Sequence, residues 1–403
     1  MPYLITMIYD KIIIGGGIVG LATALAIKDR DPDCKMAILE KESDWALHQS
    51  SRNSGVIHAG VYYKPGTKKA RFALAGNASM IAFCEKQNIP FEQCGKLIVA
   101  TSPEQIEGLH SLYDRAIANG LDFSKIGREA ALEIEPHVNC VEALHVPSTG
   151  IVDFKVVAAK YVELLGDMDV DLILDCEIRD VKQQEWGYSL STSRDIYQTK
   201  YLISTVGLYS DRIARRAGTD PGMKIIPFRG EYWHLKEDKR SLVKNLIYPV
   251  PNPKFPFLGV HMTRLIDGSV HAGPNAVLAF SREGYSWLKI NGKDLCETLV
   301  FSGFWKLANS YLGEGLKEMY RSLVKSAFLS SVQELIPEIE SNDLQRGDAG
   351  VRAQALRMDG SLMDDFYLIQ QKHGIFVLNA PSPAATASLE IGKYIARKIY
   401  SSK

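Results

Sequence analysis

The sequence lacks a net charge: 47 Lys and Arg offset 47 Asp and Glu along 403 residues. It therefore has no global basic field, and no lysine-rich arm appears, so nucleic acid is not an expected partner. Cysteine pairs with metal or redox spacing are also missing. The six cysteines (34, 84, 94, 140, 176, 296) are scattered without a C-x-x-C. That predicts no metal site and fits idle thiols in a reducing compartment. No apolar run approaches the ~20 residues needed to span a bilayer. No leader precedes the first apolar strand, so the expected location is cytoplasmic. Internal repeats and low-complexity tracts are absent. What remains is an ordinary globular mix, 46% hydrophobic and 23% charged, long enough for two domains.

The richest stretch runs from Tyr9 to Tyr63. Ile12 to Ile14 read as a buried parallel strand, apolar without alternation. Gly15, Gly17 and Gly20 form G-x-G-x-x-G. The first glycine makes the tight turn, the second lets backbone approach a pyrophosphate, and the third lets helix pack on strand. Ile18 to Lys28 then show apolar residues at helical spacing. The N-terminus of that helix aims free N–H groups at phosphates. Met36 to Glu40 read as a second strand, and Glu40 falls 20 residues after Gly20, where an acid binds ribose hydroxyls. The glycine motif alone is weak evidence. With strand, helix, strand and acid in register it predicts an adenine dinucleotide, and the acid disfavours a 2′-phosphate.

Further elements follow from periodicity. Helices are expected over 65–87, from Ser102 onward, over 154–165, through most of 294–334 and over 384–399. Strands are expected over 91–100, 142–153, 170–181, 188–193, 200–207, much of 227–279 and 374–381. The strand ending at Gly207 and the one near the C-terminus would both return to the dinucleotide sheet. The fold class is thus α/β: a Rossmann-like domain from 1–88, 147–216 and 345–403, interleaved with an α+β, mixed-sheet substrate domain from 89–146 and 217–344. A dehydrogenase using NAD usually keeps its nucleotide domain contiguous. Interleaving suits a buried flavin held between domains, which favours FAD over NAD.

Six segments then carry a resemblance. They are Asn53 to Tyr63, Pro227 to Tyr232, Pro256 to Arg264, Gly273 to Ala279, Gly350 to Gln354 and Asn379 to Thr386. In order and over nearly the whole chain, they resemble the D-amino-acid-oxidase-type FAD oxidoreductases. Within that group they resemble the branch that oxidises L-2-hydroxyglutarate to 2-oxoglutarate. The resemblance implies FAD, a small dicarboxylate substrate, and electrons passing to membrane quinone or oxygen. Motifs and resemblance together set Gly15, Gly17, Ile18, Val19, Gly20, Glu40, Lys41, Ser51, Asn53, Ser54, Gly55, Val181, Gly207, Gly350, Pro383, Ala384, Ala385 and Thr386 against the cofactor. Residues 381–386, just before the last helix, are expected to steady negative charge on reduced flavin.

A dicarboxylate calls for cations, and arginine forks take carboxylates bidentately. The resemblance puts Arg352 on the C1 carboxylate, against a bland reading as a salt bridge to Asp348 or Asp359. Arg229 and Arg264 are candidates for the second carboxylate, although a structural role fits either equally well. Tyr62 could donate a hydrogen bond. Removing the hydroxyl proton needs a base, and histidine is the usual choice. His58, between Asn53-Ser-Gly and Gly60, is the first candidate and His261 the second. His48 could neighbour the flavin. An apolar stripe from Phe304 to Leu323 would suit peripheral contact with a membrane surface, or equally an ordinary packed helix. The rivals are a sister enzyme acting on glycerol 3-phosphate or an amino acid, a protein with purely structural FAD, and a NAD dehydrogenase.

Overall fold

The computed structural model describes residues 8–251 and 259–401. The opening of the Pro256 to Arg264 segment, residues 256–258, lies outside them.

The dinucleotide unit forms as the sequence dictates. Strand Ile8–Ile14 lies between Met36–Leu39 on one side and Ile196–Ser204 on the other, all parallel. Val170–Ile173 extends the sheet beyond Met36–Leu39, and Gly374–Asn379 pairs with Ile196–Ser204. The chain thus returns twice to the sheet, as expected. Helix Ile18–Lys28 is apolar on every side because it is buried on every side. It packs between the sheet and helices Phe154–Gly166 and Ser388–Tyr400. The close approach of the last helix needs Gly392, where a Cβ would lie 2.5 Å from the Ala22 carbonyl.

Among the described residues the second sheet has nine strands. Its spine is Lys224–Leu235 paired antiparallel with Leu344–Leu356. Strand Leu246–Pro249 lies between Lys96–Ala100 and His261–Arg264. Leu344–Leu356 therefore belongs to the substrate sheet, so the boundary expected at 345 falls a strand too early. The expected helix at Ala384 also starts later: residues 382–387 form turns, and the helix is Ser388–Tyr400. The segment expected to act as a helix N-terminus is a loop, held by Thr386, whose hydroxyl donates to the Val56 carbonyl at 3.1 Å.

Candidate active site

A cavity of about 640 Å³ opens over the C-terminal ends of the parallel strands. This is where doubly wound sheets bind ligands. Gly15, Gly17, Ile18, Val19, Glu40, Lys41, Gly207, Ala384 and Ala385 line it. Gly15 has φ +101°, and a Cβ there would lie 2.8 Å from the Thr205 carbonyl. Gly20 sits beneath the turn, where a Cβ would meet the Gly15 carbonyl at 2.2 Å. Gly15 thus sits at the turn, Gly17 on the cavity wall and Gly20 where helix packs on strand.

The Glu40 carboxylate is buried and fixed from two sides. It accepts from Gly16 N at 2.7 Å and Glu42 N at 3.0 Å. A carboxylate held at the cavity wall suits a ribose diol. Glu40→Ala should weaken FAD binding by about tenfold or more, the loss of hydrogen bonds to a charged group. Flavin release measured during dilution or dialysis checks this.

The loop 47–55 closes one wall. Ser50 Oγ accepts from Ile18 N at 3.0 Å, and Gln49 Oε1 accepts from Ala353 N at 3.0 Å. Ser51, Asn53, Ser54 and Gly55 shape this loop without lining the cavity. Asn53 donates to the Gln49 and Ser50 carbonyls and accepts from Gly55 N. Gly350 packs against this loop, where a Cβ would meet the Arg52 carbonyl at 2.4 Å, while Pro383 lies in the 382–387 turns, its carbonyl accepting from Ala387 N at 2.9 Å. Val181 lies elsewhere, in an apolar cluster with Tyr188 and Leu190. The lining residues of that region are Cys176, Glu177 and Ile178. At the mouth, Lys41 Nζ reaches Glu283 at 2.6 Å, and His48 Nε2 faces Glu42 at 2.8 Å. Glu283 also accepts from Tyr209 at 2.7 Å, which ties the mouth together.

Beside the cavity wall at Ala353 lies a second group. Ala353 lines the cavity, and the preceding Arg352 lies opposite Phe228 on the substrate sheet. Its charge acts on Tyr232, His261 and Lys69. Tyr248 and His261 face each other with ring centroids 4.0 Å apart, and Tyr62 stacks on Tyr248 at 6.4 Å. His58 enters from the other wall, its backbone N donating to Thr386 Oγ1 at 3.2 Å. Burial first, then the charges of Lys96, His261 and Lys69, push His58 down to about 3. Burial likewise takes His261 to about 3, aided by Arg352 and Lys96. Both imidazoles are therefore neutral and able to accept a proton. His261 Nδ1 lies 3.0 Å from the Gly259 carbonyl, which assigns the proton there and leaves Nε2 as acceptor.

Two expected substrate cations are engaged elsewhere. Arg229 is fully buried, with Nε 3.0 Å from Glu231 and its guanidinium over the Trp287 ring. Arg264 reaches Glu92 at 2.5 Å. Each already holds a carboxylate of the chain. The sequence reading missed Lys96, the buried first residue of an otherwise apolar strand, KLIVA.

A cavity at the C-terminal edge of a parallel sheet, with a glycine turn and a fixed acid, fits the class of FAD-dependent oxidoreductases. The FAD dependent oxidoreductase family matches residues 10–398, and the chain belongs to that family. It is 50% identical over 388 residues to an L-2-hydroxyglutarate dehydrogenase of Indibacter alkaliphilus, covering 96% of this chain and 97% of that one. The enzyme of that name from Escherichia coli K12 is 44% identical over 392 residues, covering 97% and 93%. The fold is that of L-alpha-glycerophosphate oxidase from Mycoplasma pneumoniae with FAD bound, at TM-score 0.79 and 21% identity, covering 98% and 95%.

Proposed function

We propose that this protein oxidises L-2-hydroxyglutarate to 2-oxoglutarate. The observation that carries the reading is Arg352, next to Ala353 on the cavity wall, with its charge acting on the neutral His261 and His261 acting in turn on the neutral His58. The names of the relatives point to the same substrate. Arg352 takes the C1 carboxylate in its fork and so orients C2. His58 accepts the hydroxyl proton as the C2–O bond becomes a carbonyl. The rings of Tyr62, Tyr232 and Tyr248 exclude water, which strengthens each charge interaction inside. FAD, when bound, would supply the two-electron acceptor for the C2 hydride.

The electrons then pass to a membrane quinone in preference to oxygen. Among the described residues, no helix is long and apolar enough to cross a membrane. One surface nevertheless suits peripheral contact: Leu312, Leu316, Tyr320 and Leu323 of helix Leu312–Leu323 are all exposed, as is Trp305. Its cations Lys317 and Arg321 pair with Glu314 and Glu318, so attachment is mainly apolar.

Steady-state turnover tests both parts. The L form should yield 2-oxoglutarate with a quinone analogue, and more slowly with oxygen. Oxidation of glycerol 3-phosphate or an amino acid in its place would refute the substrate. Faster turnover with oxygen would refute the acceptor.

A further inference from the structure

Lys96 is 2% exposed, and every residue of its strand is buried. Its Nζ stands 4.8 Å from the Tyr62 ring centroid and 4.9 Å from that of Tyr248. Ring faces favour a cation but do not neutralise it. Burial pulls Lys96 down to about 7, and no neighbouring carboxylate among the described residues offsets that pull. The other deeply buried lysines have acceptors: Lys11 has Asp31 at 3.4 Å, and Lys28 has the Pro32 carbonyl at 2.5 Å. An ammonium buried without an anion is costly unless a ligand brings one. Tyr248 joins Lys96 to His261, whose ring centroid lies 4.0 Å from that of Tyr248, and the charges of Lys96 and Arg352 both act on His261. A substrate with one carboxylate would occupy Arg352 and leave this charge unmatched.

We propose that Lys96 receives the second carboxylate of the substrate, remote from the reacting carbon, and so selects 2-hydroxy dicarboxylates over 2-hydroxy monocarboxylates. This rests on the substrate reading above. Arg229 and Arg264, each held by a carboxylate of the chain, are not needed for that role.

The test compares wild type with Lys96→Met on L-2-hydroxyglutarate and on L-2-hydroxypentanoate, which lacks the second carboxylate. The variant should lose about 100-fold in kcat/KM on the dicarboxylate, the scale of a buried charged hydrogen bond. On the monocarboxylate the loss should be at least about tenfold smaller, since only the dicarboxylate presents a second carboxylate to Lys96. Equal losses on both substrates would overturn the proposal. Binding of glutarate, followed by perturbation of the oxidised flavin spectrum, gives a readout free of turnover. It should weaken by a similar factor in the variant, and unchanged binding would overturn the proposal. If wild type oxidises neither hydroxy acid, the substrate reading has failed and the glutarate comparison decides for Lys96 alone. Lys96→Gln provides the same comparison should the methionine variant not hold flavin.

Discussion

Arg352→Met should retain FAD and lose about a thousandfold in kcat/KM on L-2-hydroxyglutarate, as expected when one partner of a buried charge pair is removed. FAD should be kept because Arg352 is not among the residues lining the cofactor cavity, although its neighbour Ala353 is. The loss should appear in KM and kcat together. The fork both binds the carboxylate and sets the C2 geometry that hydride transfer requires. Arg352→Lys restores the charge without the planar fork and should recover only part of the activity. Flavin content, KM and kcat measured on the three proteins check this. A methionine variant with near-normal kinetics would remove Arg352 from the substrate site.

His58→Asn should lower kcat by about 10² to 10⁴, the range for loss of a general base. The pH dependence gives a sharper check. A base must be unprotonated, so activity falls as pH drops through its pKa. In the free enzyme that value is about 3, because burial and the cation Lys96 disfavour a charged imidazole. A bound dianion would offset the field of Lys96 and raise the His58 value. On acidification, kcat should therefore fall at a higher pH than kcat/KM, since kcat reports the complex and kcat/KM the free enzyme. His58→Asn should abolish that acid limb, and a limb that survives would shift the role to His261, whose Nε2 is also free to accept.

Much of the fold was legible because its determinants are close in sequence. The glycine turn, helix Ile18–Lys28 and Glu40 occur within one short βαβ unit, where spacing alone sets geometry. The C-terminal return to the sheet was legible too, as an apolar run ending in small residues. Residues 345–356 were grouped with the FAD-binding domain, and no strand was expected there, because their pairing partner, Lys224–Leu235, is far away in sequence. Lys96 was missed for a similar reason. Its surroundings come from Tyr62, Tyr248 and His58, three separate stretches of chain, and one lysine opening an apolar strand carries no sign of them. Arg229 is different. Arg229 and Glu231 are two apart on one strand and so share a face, which means the pairing that occupies Arg229 could have been read directly. Arg264 offered no such clue, since Glu92 reaches it from another strand. The turns over 382–387 were hidden by small residues that fit a helix start equally well.

The central claim is that FAD in this protein takes two electrons from L-2-hydroxyglutarate. Anaerobic titration of the purified yellow protein tests it most directly. One equivalent of the L form per flavin should bleach the oxidised band, while the D enantiomer, L-malate and glycerol 3-phosphate leave it in place. An oxidised band that persists in excess L-2-hydroxyglutarate, or that another of these compounds bleaches first, would contradict the account.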